Sequence, residues 1–453
     1  MGHPTRRTGQ IMRSRVPVAI IGGGFSGTIL AAQLARRGIA SALIDGSGRV
    51  GKGVAYSTTE PAHLLNVRAE GMSAWSGAPD DFAQRYEREG GDRTGFAQRR
   101  QFAAYLKDIL HEAIENGVHV VDRAASKAAR QDDGWRIMFE DGSELETSAL
   151  VLAIGNQEPE LLSALNGAGG RYIRNPWGDD ARAAIEGLAA SGDNALLVGT
   201  GLTMVDLVLS LDAAGHRGRI VALSRRGLIP RAHADFEPAP VEQEEVPSGS
   251  LRALWRWLRR RSADVGWRAA VDSLRPYSHP LWQSLNTDEQ QRFLRHGRPW
   301  WDVHRHRIAP EVSQILARMI ADGRLEIVAG RVVSARQDDE GIEVDYRRRG
   351  ASSLRSERFA FAFNCTGPLH SMARTKDPLL RSLLDTGQIR PDHLGIGLEV
   401  DERSRPAGSE RLWALGPLTK GRYWEIIAVP DIREQAAAVA EDIATEMAHE
   451  PPV

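Results

Sequence analysis

One local pattern constrains this chain more than any other. The apolar run Val16-Pro-Val-Ala-Ile-Ile21 passes straight into Gly22-Gly-Gly-Phe-Ser-Gly27, and apolar residues at helical spacing follow over 28–37. Gly38 ends that helix, and Ala42-Leu-Ile44 resumes a strand that stops at Asp45. Each glycine of the Gly22-x-Gly24-x-x-Gly27 turn has a physical task. The first permits the tight turn, the second lets backbone approach a pyrophosphate, and the third lets helix and strand pack closely. The helix N-terminus adds amide donors and the positive end of a dipole. Asp45, 18 positions after Gly27, is an acceptor for ribose hydroxyls. The segment reads as a βαβ unit that binds a dinucleotide.

The pattern recurs. Ala195-Leu-Leu-Val198 leads into Gly199-Thr-Gly201, a helix through Leu211, and a strand over 219–223 that ends at Ser224-Arg-Arg226. Met204 stands in place of the third glycine. An acid at the strand end would accept the 2′-hydroxyl of NAD, whereas Arg225 and Arg226 suit the 2′-phosphate of NADP. Each unit is followed by a roughly alternating zone with turn signals, over 130–147 and 325–363, that reads as antiparallel hairpins. The first zone leads to the buried strand Leu150-Val-Leu-Ala-Ile154 and Gly155, and the second closes on Asn364-Cys-Thr-Gly367.

The fold class expected is therefore α/β, with two Rossmann-like dinucleotide-binding domains, the second inserted in the first. Residues 16–160 and 361–453 make the first, suited by Asp45 to FAD. Residues 161–360 make the second, suited to NADPH. Their shared logic is hydride transfer from nicotinamide to flavin, with the protein supplying alignment.

Composition narrows the chemistry. The 453 residues include one cysteine, Cys365, so the chain has no disulfide of its own and no Cys-based zinc or iron–sulfur site. Lys+Arg (58) and Asp+Glu (59) nearly cancel, which gives no global case for nucleic acid or an anionic membrane as partner. No apolar run reaches the roughly 18 residues of a membrane span. Residues 1–15 hold four arginines and read as a disordered lead, and the compartment reads as cytoplasmic.

The second domain carries a helical insert at 233–310. Its part 251–310 has twelve Arg against five acidic residues, a surplus of +7, and six of the 11 tryptophans. It is either a helical excrescence packed by tryptophans or a surface for a substrate or partner. His304 and His306 lie at i, i+2, which separates them around a helix, and no metal site is expected.

Four further segments bring a resemblance. Gly51-Lys-Gly-Val-Ala-Tyr56, His63-Leu-Leu-Asn-Val67, Trp301-Asp-Val-His-Arg-His-Arg307 and Gly416-Pro-Leu-Thr-Lys-Gly421 resemble a bacterial FAD/NAD(P)-binding protein family. That family is similar in plan to the flavin-containing, N-hydroxylating and Baeyer–Villiger monooxygenases. The resemblance places Asn66 beside the reactive edge of the flavin, where its amide would hydrogen-bond a C4a-hydroperoxide. Gly416, with the helix that starts near Asp431, resembles the final flavin-binding segment. Arg174 stands where the Baeyer–Villiger fingerprint has a histidine, so the resemblance does not extend to ketone oxygenation.

Together these readings give one set of expectations. The cofactor-binding residues are Gly22, Gly24, Phe25, Ser26, Gly27, Asp45, Val54, Leu65, Asn66, Gly155, Gly199, Gly201, Thr203, Ser224, Arg225, Arg226, Thr366, Gly367 and Gly416, and Asn66 is the candidate catalytic residue. The activity implied is that of an NADPH-using, FAD-dependent monooxygenase. Molecular oxygen would be its co-substrate and the nitrogen of a small polar amine or amino acid its target. Arginines of the insert suit a carboxylate-bearing substrate. Two alternatives stay open: a reductase or oxidase without oxygen insertion, and a non-enzymatic redox sensor.

Overall fold

A computed structural model describes residues 15–448. Of the expected lead at 1–15, all but Arg15 lies outside the described residues.

The first sheet runs Val118–Val121, Ser41–Ile44, Val16–Ile21, Glu144–Leu152, Gly134–Phe139, Ala125–Gln131, with Leu412–Ala414 also pairing Glu144–Leu152. Val16–Ile21 is parallel to both neighbours. It reads as a nearly continuous apolar run because both of its faces are covered: Val18 and Ile20 pack among helices, while Ala19 and Ile21 lie in a core shared with Trp135, Ile137 and Phe139 of the hairpin strands and Leu380 and Leu383. Phe25–Ala35 is buried along its whole length and packs on the helices Arg99–Glu115 and Val429–Ala448.

Sequence periodicity separates a hairpin ending near Thr147 from a strand beginning at Leu150. The structure joins them in one strand, Glu144–Leu152. Its first half pairs antiparallel with Gly134–Phe139 and its second half lies parallel to Leu412–Ala414. Alternating burial in the first half and continuous burial in the second record the change of partner.

The second sheet repeats the device. Leu325–Asp338 lies parallel to Ile220–Ser224 at its start and antiparallel to Gly341–Arg348 further on. The full order is Arg355–Phe359, Gly341–Arg348, Leu325–Asp338, Ile220–Ser224, Ala195–Val198, Phe361–Asn364, Tyr172–Ile173. One boundary is thereby corrected. Phe361–Asn364, expected in the first domain, sits between Ala195–Val198 and Tyr172–Ile173 in the second sheet. Its apolar side chains need cover on both faces, and the second unit supplies it, so the chain returns to the first unit only after Asn364.

The insert contains the helices Leu251–Val265, Trp267–Ser273, Ser278–Ser284, Thr287–Arg292 and Arg298–Arg305. Ser250 caps the first by accepting from the Ala253 amide, 3.3 Å. Their core, including Leu258, Leu274, Trp282, Phe293 and Trp301, extends onto Leu394, Ile396 and Trp424 of the first unit. The insert is thus docked, not an isolated excrescence. No helix among the described residues is long and apolar enough to cross a membrane.

Candidate functional site

The two glycine turns are built alike. Gly22 has φ +108° and Gly199 φ +119°. A Cβ on Gly22 would stand 2.3 Å from the Ala153 carbonyl oxygen, and one on Gly199 would stand 2.1 Å from that of Cys365. Both positions therefore exclude any side chain. A Cβ on Gly27 would come within 1.9 Å of the Gly22 carbonyl oxygen, which is the close helix–strand approach expected of the third glycine. Met204, in the matching place, is fully buried in the core of the second unit.

Both helices begin without a capping side chain, at Gly24 and at Gly201. Their first amides are the orphan donors that an anion satisfies. A Cβ on Gly201 would meet nothing within 4 Å, so the ground above that helix is open. Thr203 lies in its first turn. These are the features a pyrophosphate needs, and both turns fit one.

Around the first turn, Asp45 is fixed from two sides. Its Oδ2 accepts from the Gly23 amide and its Oδ1 from the Ser47 amide, each at 2.7 Å. An ionised carboxylate has about four acceptor sites, so two remain for ribose hydroxyls. Gly53, beside the exposed Val54, packs on Gly24. A Cβ on Gly416 would come within 2.7 Å of Ser26 Oγ, so the last segment of the first unit lies directly on the turn. The Gly416 amide donates to Gln435 Oε1, 2.8 Å, on the final helix.

The second turn is braced by Ser224, whose hydroxyl meets Thr200 Oγ1 at 2.8 Å and accepts from the Gly227 amide at 3.0 Å. The two arginines that follow differ. Arg226 lies over the Trp300 ring, 6.0 Å from its centroid. Arg225 is exposed and has no ion-pair partner among the described residues. At the crossing segments, the Thr366 hydroxyl donates to Asn364 Oδ1, 2.7 Å, while Gly155 and Gly367 face open space.

Asn66 sits on a loop held from several directions. The Leu65 amide donates to the Ala97 carbonyl, 2.9 Å, and His233 Nε2 donates to the Asn66 carbonyl, 3.0 Å. Burial is the main reason His233 is pushed down to about 4, with Arg307, Arg68 and Arg268 adding to the effect. It is the neutral ring that makes this bond. The half-buried Asn66 amide has no partner among the described residues.

Sequence reading missed what ties this loop to the second unit. Arg99 donates through Nε to the Leu64 carbonyl, 3.2 Å, and through Nη1 and Nη2 to both oxygens of Asp206, 2.9 and 2.8 Å. The two side chains are 11% and 8% exposed. Buried His63 joins them: Nε2 lies 3.0 Å from the Asp206 carbonyl and 3.1 Å from Ser210 Oγ, and Nδ1 2.8 Å from Thr58 Oγ1. Asp206 and Ser210 belong to Leu202–Ala213, the helix that opens at Gly201. One connected network thus runs from the second turn to the residues flanking Asn66. A long-range pair has no sequence period, so the only available signal was a charged residue, Asp206, inside an apolar helix.

His304 and His306 do not converge. His304 Nδ1 donates to the Trp300 carbonyl, 2.7 Å, while His306 Nε2 lies 3.9 Å from Asp302. No cluster of three or more metal-binding side chains occurs among the described residues.

Residues 19–157 match the family model described as FAD-NAD(P)-binding. No curated protein sequence matches the chain. Solved structures do match it over nearly its full length. L-lysine 6-monooxygenase from Pseudomonas syringae is 16% identical with a TM-score of 0.66, covering 96% of this chain and 100% of that one. The ornithine N-hydroxylase of Kutzneria sp. 744, solved with reduced FAD, NADP+ and L-ornithine, is 14% identical with a TM-score of 0.64 over 96% and 100%. Bacillithiol disulfide reductase from Staphylococcus aureus is 13% identical with a TM-score of 0.57 over 96% and 99%. The chain has the fold of two-dinucleotide-binding flavoproteins. The correspondence spans both nucleotide units and the insert, and residues 19–157 carry the FAD-NAD(P)-binding match.

Proposed function

We propose that this protein is an FAD-dependent, NADPH-using monooxygenase that oxygenates the nitrogen of a small polar amine or amino acid. The observation that carries the reading is the unpartnered Asn66 amide on a loop fastened to both nucleotide units. Oxygen activation is the chemistry that bound, reduced flavin supplies. The chain's own part is to hold the reactants. Gly22, Gly24 and Gly27 with the amides of the Phe25–Ala35 helix receive the FAD pyrophosphate, Asp45 its ribose, and Gly416 with the final helix the isoalloxazine end. Gly199, Gly201 and the Leu202–Ala213 helix receive NADPH, with Arg225 on its 2′-phosphate. Asn66 offers its amide N–H to the oxygen being transferred, and the covering insert keeps water out, which protects a reactive species from hydrolysis and proton leakage. Arginines of the insert suit a carboxylate on the substrate.

The two N-hydroxylating structures of the same fold support this reading, and their substrate amino acids set the class to try first. The disulfide reductase of the same fold supports a second, a reductase passing electrons to an external acceptor. The lone, buried Cys365 gives such a reductase no disulfide of its own. Anaerobic reduction by NADPH, followed by mixing with oxygen and a panel of amines and amino acids, separates the two. Substrate-dependent N-oxygenated product supports the monooxygenase. Fast reoxidation of flavin with peroxide as the sole product across the panel supports the reductase.

A further inference from the structure

The insert meets the first unit through a layer of charged side chains, and most of these are matched. Trp301 Nε1 donates to Glu425 Oε1, and Arg305 Nε donates to Glu425 Oε2 at 2.9 Å. Arg307, also buried, is paired with Asp272. Two members of the layer are unmatched. Arg275, on the turn between the helices Trp267–Ser273 and Ser278–Ser284, is half-buried and makes no hydrogen bond or ion pair among the described residues. Asp431, at the start of the final helix, makes none either, and its Oδ2 is buried. The two lie within electrostatic reach of each other without pairing. Burial and then Arg305 push the Arg275 guanidinium down, and Asp431 leads the acids that oppose this, ahead of Asp272 and Glu425. Burial pushes the Asp431 carboxyl up, and Arg275 leads the cations that oppose it, ahead of Arg305 and His279.

This seam joins both parts of the site described above. Ile432, next to Asp431, stands 3.9 Å from where a Cβ on Gly416 would lie, and Gly416 packs on the first glycine turn. Arg433 Nη1 donates to the Ser73 carbonyl at 3.1 Å, on the stretch of chain that follows Asn66. From the insert side, Arg307 lies within electrostatic reach of His233, whose ring donates to the Asn66 carbonyl at 3.0 Å. Asp272, the partner of Arg307, in turn acts on Arg275. The layer therefore runs without a break from the Asn66 loop to the start of the final helix.

We propose that Arg275 and Asp431 together bind the head group of an α-amino acid, Arg275 taking the carboxylate and Asp431 the ammonium. The proposal rests on the reading of the protein as an N-oxygenating enzyme and narrows its substrate from amines at large to zwitterions. A guanidinium offers a carboxylate two parallel N–H donors. A carboxylate whose oxygens are both unengaged accepts from an ammonium in return. A zwitterion satisfies the two groups at once and adds no net charge to the seam. A simple amine leaves the cation unmatched and a simple acid leaves the anion unmatched, and a charge held partly out of water without a partner is unfavourable.

Calorimetric titration of the FAD-loaded protein, NADP+ present, with the common L-amino acids and L-ornithine tests this without requiring turnover. The tightest binder is then compared with its decarboxylated amine and its deaminated acid. The amino acid is expected to bind at least about ten-fold more tightly than either, the scale of a lost hydrogen bond to a charged group. Arg275→Met should weaken the amino acid and the acid by a similar factor and leave the amine unchanged. Asp431→Asn should weaken the amino acid and the amine and leave the acid unchanged. Flavin content checks folding, and if Arg275→Met loses flavin, Arg275→Lys, which keeps the charge without the two-pronged grip, should show the same selective loss at several-fold. No binding of any amino acid, or an amine that binds as tightly as its amino acid, overturns the proposal. So does an equal effect of either variant on all three ligands. Amino acids that bind in this crossed pattern but are never oxygenated uphold the site and sink the monooxygenase reading; oxygenation of amines that lack a carboxylate, with no amino acid bound, does the reverse.

Discussion

The Arg99 guanidinium grips both oxygens of the Asp206 carboxylate, at 2.9 and 2.8 Å, across the boundary between the two nucleotide units. The contact is nearly buried on both sides. Removing one partner of such a pair costs about 3–5 kcal/mol, because the other charge is left unpaired. Arg99→Met should therefore lower the unfolding temperature markedly, and Arg99→Met combined with Asp206→Leu should recover much of the loss. Thermal unfolding followed by flavin release reads both. A single variant as stable as the parent would show that water reaches the pair.

Gly27→Ala should abolish retention of flavin, since its Cβ would fall 1.9 Å from the Gly22 carbonyl oxygen and push helix from strand. Gly201→Ala is the contrast, because nothing lies within 4 Å of that Cβ. Its flavin content and stability should stay near the parent's while the KM for NADPH rises, the added methyl standing where the pyrophosphate approaches. The flavin-to-protein ratio of the two purified variants checks the first half of this pair of predictions, and steady-state kinetics the second.

Arg225→Ala should raise the KM for NADPH about ten- to a hundred-fold, the effect of losing a hydrogen bond to a charged group of roughly 1.5–3 kcal/mol. NADH, which lacks the 2′-phosphate, should be used as before. Arg226→Ala should have a smaller effect, since that guanidinium is already turned toward Trp300. Equal losses with both nucleotides would mean that Arg225 does not touch the phosphate.

Asn66→Ala should uncouple the reaction. NADPH oxidation continues, peroxide accumulates, and product formation falls about a hundred-fold or more, the scale of removing one donor from an active centre. Asn66→Asp, which keeps the size and loses the donors, should behave likewise. A product-to-NADPH ratio that stays at the parent value in both variants removes Asn66 from the chemistry.

His233 predicts a pH response. An unfolded histidine takes up its proton near pH 6.5, but the folded ring, buried against the Asn66 carbonyl, does so only near about 4. Between those values the unfolded chain binds more protons, so stability falls as pH falls through the window and is fully present above it. His233→Gln should flatten the dependence between about pH 6.5 and 4. Denaturant midpoints collected across that range give the slope, and an unchanged slope in the variant would assign the effect elsewhere.

The two nucleotide turns were legible because their constraint is local. Gly22 and Gly199 are each fixed by a carbonyl oxygen of a neighbouring segment and Gly27 by that of Gly22 in its own turn, and only glycine meets those conditions. Strand continuity was harder to read. Glu144–Leu152 changes partner halfway, so its two halves carry different periods and look like two elements. Phe361–Asn364 is apolar on both faces, and an apolar run looks the same whichever sheet receives it. The ties around Asn66 were illegible for another reason. Arg99 and Asp206 are 107 positions apart, and nothing in the neighbourhood of either announces the other. Trp424 likewise acquires its meaning only when the insert folds back onto it.

The Arg99–Asp206 tie also bears on motion. If swivelling one nucleotide unit against the other meant parting this pair, about 3–5 kcal/mol would confine the swung form to fewer than about one molecule in a hundred. Traffic during turnover would then fall to the small molecules themselves, with the nicotinamide sliding in and withdrawing past a stationary frame.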